Sequence, residues 1–577
     1  MLPHKLIERA LQSAVRDVLP DADTTSVLIR PCPDPQFGDY QTNALMGLAK
    51  ARKMNPRQLA TDVLARLDVG DICEAVQVAG AGYLNFRLKP SAVAQALSEA
   101  AQGEHSFFEK TTAPRTIVID FSSPNIAKPM HVGHIRSTIL GDALARTLRL
   151  LGHHVITDNH IGDWGTQFGK LIVGWKHHLD PARLQQDAIG EMERLYKLVN
   201  AAGESDPKVL EEARQELVKL QQGDPDNRRI WQEMIALSEV QFQTIYGRLE
   251  VHFDHTLGES FYNPRLAGLV NELVQINLAR ESEGAIAVFF DGIPQLKDSP
   301  ALIRKSDGGF NYTTTDLATL QYRLETWKPN EIVYITGAPQ QLHFQQLFEV
   351  FRRWHPEAEV KLAHVWFGSI LGEDGKPFKT RSGETIKLAD LLDEAEERAF
   401  KLATELNPEI PEAQRKEIAR VVGLGAVRYA DLLPNRQSDY VFSWDKLLAL
   451  NGNSAPYLQY AYARTRSVLR KASENPVAAG SDFFNQIELS APAELALAKQ
   501  LLSFGFVLEA AVDDYRPNFI CNYLYDLAGL FARFWESCPV LKAEPLQRAS
   551  RLKLCDLSGR VLKTGLAVLG IETLEQM

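Results

Sequence analysis

Residues 115–160 constrain the fold more than any other stretch of this chain. RTIVIDFSS (115–123) is a nearly unbroken apolar run, the pattern of a strand buried on both faces of a parallel sheet. From Ile135 onward, Ile139, Leu140, Ala143, Leu144, Leu148 and Leu151 recur at helical spacing, and Gly152 stands where a helix C-cap belongs. HHVITDNH (153–160) then reads as a second strand. Strand, helix and strand in so short a span form a βαβ unit, the seed of a doubly wound sheet.

The flanking sequence sets this unit inside a larger protein. At 577 residues the chain exceeds what one core supports, and about two to four domains are expected. Residues 1–112 combine the amphipathic opening MLPHKLIERALQSAVRDVL, the turn-rich RPCPDPQFGDYQTN, a helical run near 56–67 and the alternating AVQVAGAGYLNFRL. They predict a small α+β domain. Residues 113–400 predict the α/β domain, with a charged helical insertion at about 170–260. Strands then return as GAIAVFF, NEIVYITGAP and KLAHVWFGSILG, with helices at 313–327 and 341–354, so the sheet is split by the insertion and resumes. From about residue 410 no strand is expected, and residues 401–577 predict an all-α bundle.

Charge and cysteine usage narrow the function. A net charge of −10 argues against indiscriminate nucleic-acid binding and leaves room for a partner gripped by local basic patches. Five cysteines (Cys32, Cys73, Cys521, Cys538 and Cys555) with no CxxC spacing fit reduced cytosolic thiols and give no zinc knuckle. No stretch approaches the roughly 18 consecutive apolar residues of a membrane helix. The opening segment is charged throughout, unlike a signal peptide.

Three stretches carry chemistry. SSPNIAKPMHVGH (122–134) lies between the first strand and the first helix, where open α/β sheets bind ligands. The helix N-terminus there offers free N–H groups and a partial positive charge suited to phosphates. His131 and His134 fall in its first turn, Gly133 lets a base or ribose approach the backbone, and Lys128 adds a mobile charge. A metal site would need further ligands, and none stands at a familiar spacing. Histidines at a helix start can also be plain polar residues, and the four residues HVGH alone would favour that reading. The strand, lysine and helix around them favour the nucleotide. GSILGEDGKPFKTRSGETIKL (368–388) crowds Lys376, Lys379 and Arg381 among Gly372, Gly375 and Gly383. Such a loop can close over a polyphosphate, or can be a solvated hairpin. In NYTTTDLATLQY, Tyr312 and Asp316 stand four apart at a helix start, so they line one face, although a carboxylate there is also simply dipole-favoured. GAPQQLH ends a strand and brings Gln340 and Gln341 to the same rim.

Together these stretches resemble the arginyl-tRNA synthetases, class I aminoacyl-tRNA synthetases, most nearly the bacterial cytosolic form. DFSSPNIAKPMHVGH is similar to the family's stretch around its HIGH signature, and DNHIGDWGTQFG to the segment after it. FKTRSG sits where class I enzymes carry KMSKS. GNSAPYLQYAYAR and YLYDLAGLFARFWESCPVL resemble its anticodon-binding helices, and GIETLEQM its C-terminal end. The likeness runs in order from about residue 30 to residue 577.

The resemblance implies a Rossmann-like catalytic domain between an N-terminal domain touching the tRNA D-loop and a C-terminal anticodon-binding domain. It implies that Asp120, Asn125, His134 and Gln340 hold the α-amino and carboxylate ends of arginine, and that Tyr312 and Asp316, with Glu281 as a helper, recognise the guanidinium. A planar five-donor fork facing carboxylates makes charge-assisted bonds, so the assignment is chemically sound. Ser123, His131, Gly133, His134, Lys379 and Ser382 would receive ATP. Tyr83 and Asn85 in GYLNF would take a D-loop base by stacking and edge bonding. Tyr457, Tyr460 and Arg464 would touch the anticodon.

One departure stands out: KTRSG lacks the second lysine of KMSKS. Some family members share this and carry a lysine upstream of HIGH instead, where Lys128 stands. Lys128, His131, His134, Lys379 and Arg381 are therefore the expected catalytic groups. The implied reaction forms arginyl-adenylate and then esterifies the 2′-hydroxyl of the terminal adenosine of tRNA(Arg), with ATP and Mg²⁺ as substrate and no structural metal. A carboxylate is already a nucleophile at pH 7, so positioning and electrostatics carry the catalysis. A cytoplasmic monomer that touches no membrane is expected. A smaller HxGH nucleotidyltransferase would have no use for the helical C-terminal part or the GYLNF domain. A non-catalytic RNA-binding paralogue would be expected to lose the histidines or Asp316, and this chain keeps them.

Overall fold

The computed structural model describes residues 2–378, 385–474 and 487–577. The chain forms two compact units, one of Met1–Lys110 with Ala449–Met577, the other of Thr111–Leu448.

The second unit is built on four parallel strands. They are β1 (Thr116–Asp120), β2 (His154–Asp158), β3 (Glu331–Tyr334) and β4 (Lys361–His364), in the order β4-β3-β1-β2. Register sets Asp120 beside Asp158 on one side and beside Tyr334 on the other. Two central strands therefore end side by side on carboxylates. Helix α1 (Val132–Leu150) returns the chain from β1 to β2, as the apolar spacing predicts. Gly141 lets α1 lie close to the strand end, because a Cβ there would meet the ring of Phe121 at 2.2 Å. Helices α2 (Tyr312–Trp327) and α3 (Gln341–Trp354) flank β3. In α3, Phe344, Leu347, Phe348, Val350, Phe351 and Trp354 are buried at helical spacing. They share one core with Val118, Ile332, Leu317 and Leu320.

After β2 come five helices in succession, from Gln167–His178 to Pro225–Arg248, over the stretch read from sequence as a charged helical insertion. The segment after them departs from expectation. Ala285–Val288, from GAIAVFF, does not join the parallel sheet but pairs antiparallel with Arg280–Ser282 and Ala301–Arg304 in a separate three-stranded sheet. The cause is local: Glu283 and Gly284 both take positive φ (52° and 77°), as in a two-residue primed hairpin turn, which forces antiparallel pairing.

The all-α boundary also needs revision. Residue 400 falls inside the helix Leu388–Leu406. The next helix, Glu412–Leu432, is tied to α1 by buried ion pairs, Arg136 with Asp431 at 3.1 Å and Arg428 with Asp142. A short strand beyond residue 410, Tyr440–Val441, pairs with Ile370–Leu371, where none was expected.

The other unit joins the two chain ends. Its N-terminal part is an antiparallel sheet in the order Arg30–Pro31, Tyr40–Thr42, Tyr83–Leu88, Cys73–Ala79, with four helices. Its C-terminal part is the helices Ala455–Glu474, Pro492–Leu502, Phe504–Asp513, Asn518–Ser537 and Pro545–Val568. Lys499 pairs with Asp39 at 2.7 Å, and the ring of His4 lies 4.2 Å from that of Phe506. Pro492–Asp513 is long and apolar enough to cross a membrane by length and composition, but it breaks at Ser503 and buries Leu497, Leu501, Leu502 and Phe504 in this unit.

Candidate functional site

At the head of α1 the two histidines cap the helix for each other. His131, the N-cap residue, accepts the Gly133 N–H at Nδ1 (3.0 Å), and His134 accepts the His131 N–H at its own Nδ1 (3.1 Å). This is a capping box made from imidazoles. Both rings are then Nε2–H tautomers, with that donor left for a ligand. Burial, joined by Lys128, lowers the pKa of His131. Burial, joined by His131, lowers that of His134 to about 3. Both are therefore neutral at pH 7 and act as hydrogen-bond donors rather than charges. Gly133 is required here, since a Cβ would lie 2.8 Å from the His131 ring.

The loop from β1 to α1 is held open by strain. Ser122, Ser123 and Ala127 take left-handed backbone conformations (φ 72°, 47° and 59°). Polar bonds fix them: Ser122 N–H donates to Ser137 Oγ, and Ser123 N–H to Asn159 Oδ1. Asn125 and Lys128 are exposed on this loop and Ser123 is half-buried. Asp120 is buried, and both its oxygens are engaged. Oδ1 accepts the Ser123 hydroxyl (3.1 Å) and Oδ2 pairs with Arg323 (2.6 Å). Arg323, itself fully buried on α2, also pairs with Asp158 at 2.8 Å. Burial raises the pKa of Asp158, and Arg323 opposes that rise. For Arg323 burial works against the charge, but Asp120, Tyr334 and Asp158 outweigh it and hold the pKa well above the ordinary value. Nothing in the residue pattern singled out Arg323. Strand register brings its partners together.

The acidic pocket lies at the start of α2. Tyr312 is 61% exposed, and Asp316 one turn on is half-buried. Asp316 Oδ2 meets His343 Nε2 at 2.6 Å, and Oδ1 lies 3.9 Å from His160 Nε2. The Tyr312 and His343 rings are edge-on at 5.0 Å. A second carboxylate faces this group. Glu259, in the 3₁₀ turn Glu259–Tyr262, has a pKa pushed up to about 7 by burial, against the pull of His160 and with Asp316 and Asp163 adding to the rise. Glu259 falls within the stretch assigned to the insertion, which hid it. Glu281, the expected helper, is exposed on the edge strand Arg280–Ser282 and is not among the groups that meet around Asp316. The hairpin that diverts Ala285–Val288 from the parallel sheet also carries Glu281 to solvent. Gln340, exposed, ends the 3₁₀ turn that opens α3.

The chain that follows the cationic stretch is bonded to the residues beside the histidines. Val132 N–H donates to Ile386 C=O (3.0 Å) and Leu388 N–H to Met130 C=O (2.9 Å), so the chain leaving the loop is bonded across HVGH. Lys376 is exposed. Lys379, Arg381 and Ser382 lie outside the described residues. The Lys128 ammonium sits 5.6 Å from the centre of the Tyr196 ring, which Lys170 shares at 5.7 Å. No grouping of three or more His, Cys, Asp or Glu able to hold a metal ion occurs among the described residues.

The remaining sequence candidates lie in the other unit. Tyr83 and Asn85 stand on the strand Tyr83–Leu88, with Tyr83 half-buried. Asn85 is buried, and its Oδ1 has no hydrogen-bond partner among the described residues. On the helix Ala455–Glu474, Tyr460 is 53% exposed, Tyr457 lies 5.7 Å from the ring of Tyr525, and the Arg464 guanidinium 5.3 Å from that of Trp535. Tyr525 and Trp535 are additions to the sequence-based set, brought in by helix packing.

Comparison with known proteins agrees along the whole chain. Residues 4–88 match the arginyl tRNA synthetase N-terminal domain, 92–444 the catalytic domain of class I tRNA synthetases (R), and 458–577 the DALR anticodon-binding domain. The arginine–tRNA ligase of Chromobacterium violaceum is 44% identical, covering all of both chains. That of Synechococcus elongatus is 45% identical, over 97% of this chain and 96% of that protein. The solved arginyl-tRNA synthetase of Thermus thermophilus superposes with a TM-score of 0.82 at 26% identity, covering 100% of both chains. The Plasmodium falciparum structure gives 0.81 at 27% identity, with 100% of this chain and 99% of that one covered.

Proposed function

The chain belongs to the arginyl-tRNA synthetases of class I, and we propose from that premise how its residues divide the work. It is an ATP-dependent arginine–tRNA ligase: arginine and ATP give arginyl-adenylate and pyrophosphate, and the arginyl group passes to the terminal adenosine of tRNA. The guanidinium enters the pocket of Asp316 and Glu259 against Tyr312. Asn125 and Gln340 take the amino and carboxylate ends. Asp120, with both oxygens engaged, chiefly positions Ser123, and its remaining lone pairs face the ammonium.

ATP lies over Gly133 with its phosphates at the α1 N-terminus, where the Nε2–H donors of His131 and His134 and the positive end of the helix dipole serve them; the Val132, Gly133 and His134 N–H groups that the sequence suggested would be free are already bonded within the protein. The arginine carboxylate attacks the α-phosphorus and pyrophosphate leaves. Lys128, Lys379 and Arg381 supply positive charge, and Ser382 a hydroxyl. Mg²⁺ would travel on the nucleotide phosphates rather than in a protein cage. The tRNA meets Tyr83 and Asn85 through its D-loop, and Tyr457, Tyr460 and Arg464 through its anticodon. We further propose a cytoplasmic monomer without membrane contact.

The observation that carries this reading is the acidic pocket one helix turn from Tyr312, with the double histidine cap at the end of the neighbouring strand. The test is steady-state aminoacylation by Asp316→Ala. The Michaelis constant for arginine should rise at least tenfold and that for ATP by less than threefold, since a carboxylate left without its cation discriminates by unpaired charge. Equal effects on both would contradict the guanidinium role.

A further inference from the structure

We propose that His343 is a positioning residue for Asp316 whose protonated imidazole competes with the substrate guanidinium for that carboxylate, making arginine binding depend on pH. The inference rests on the reading of Asp316 given above.

The geometry is direct. The His343 Nε2–Asp316 Oδ2 contact is 2.6 Å, and the imidazole lies edge-on to Tyr312, the other residue assigned to the guanidinium. His343 stands in the first turn of α3 and Asp316 in the second turn of α2, so two helices set the contact. The charged or titratable groups around it come from five elements. They are Asp316 and Tyr312 on α2, His160 after β2, Glu259 on its 3₁₀ turn, Tyr334 on β3 and His364 at the end of β4.

Two states of one ring have opposite consequences. A neutral His343 donates Nε2–H to Asp316. This fixes the carboxylate and leaves it a full negative charge for the guanidinium. A protonated His343 forms an ion pair with the same carboxylate, and arginine then meets a cation where it needs an anion. The sign follows: as pH falls through the imidazole range, the Michaelis constant for arginine rises, and above that range it levels off. Glu259 adds to the dependence in the same direction, because its protonation also removes a negative charge facing the substrate cation. His343 is therefore identified by difference.

The experiment measures the Michaelis constant for arginine in aminoacylation by the full chain, at saturating ATP and tRNA, at pH 6.0 and 8.0. His343→Gln keeps an N–H donor and cannot titrate. Its pH 6.0 to pH 8.0 ratio should be lower than the wild-type ratio by about twofold or more, because the amide cannot take on the charge that competes for Asp316. The dependence left in the variant belongs to Glu259. His343→Asn, a shorter amide, repeats the test should the glutamine variant fold poorly. A ratio within 1.5-fold of wild type in either folded variant overturns the inference. Asp316→Asn at pH 8.0 separates the two layers. If it leaves the arginine constant within twofold of wild type, the guanidinium assignment fails and the inference falls with it. If it raises that constant while His343→Gln leaves the pH ratio intact, the inference alone fails.

Discussion

The two units hold their proposed functional residues in different ways. In Thr111–Leu448 the groups are fixed by backbone. His131 and His134 cap a helix, Asp120 and Asp158 end adjacent strands, and Asp316 and His343 belong to the opening turns of two helices. In the unit made from the chain ends, the candidates on the helix Ala455–Glu474 are aromatic rings and a guanidinium at a helix surface, such as the exposed Tyr460 and the Arg464–Trp535 pair, while Tyr83 and Asn85 stand on a strand. Small reactants need atoms held to fractions of an ångström, and strand ends and helix caps supply that. A polynucleotide presents many bases and phosphates, and a rigid aromatic surface can take them with looser tolerance.

The contrast can be broken at its strongest point first. Arg323→Met leaves Asp120 and Asp158 adjacent, buried and without their shared cation. Breaking a buried pair in this way costs about 3–5 kcal/mol. Urea denaturation followed by a probe in the sheet unit should show a loss of that order, and an unchanged midpoint would remove Arg323 from the foundation of the site. Next, Lys128→Ala should lower the turnover number about 100- to 1,000-fold, the effect of removing one charged stabiliser. Activity within threefold of wild type would end the idea that Lys128 makes up for KTRSG. The smallest effect belongs to the other unit. Tyr460→Ala should raise the Michaelis constant for tRNA by the equivalent of about 1–3 kcal/mol, the worth of one stacked base, and leave that for arginine unchanged. A change in the arginine constant instead would blur the division drawn here.

The difference between the units also decided what could be seen in the sequence. Periodicity gave β1, α1 and β2 because each buries an apolar face of its own, and His131, Gly133 and His134 were legible because they sit at one junction of that pattern. Arg323 and His343 were not, since each acquires its partner from a segment remote in sequence: Asp120 with Arg323, Asp316 with His343. Glu259 was concealed by the charged helices before it, and the exposed edge-strand position of Glu281 was not legible because a hairpin turn, not apolar spacing, sets its sheet. The union of the two chain ends rests on contacts such as Lys499–Asp39, for which neither segment carries a local signal. The helix Glu412–Leu432 reads as part of the helical bundle by composition alone. Two arginine–aspartate pairs tie it to α1 and so to the unit that holds the parallel sheet.

Pyrophosphate exchange into ATP tests the central claim most directly. The full chain, given each amino acid in turn with and without tRNA(Arg), should exchange label with arginine when tRNA is present and with no other amino acid. Exchange supported by a different amino acid, or none with arginine and tRNA together, would contradict the account.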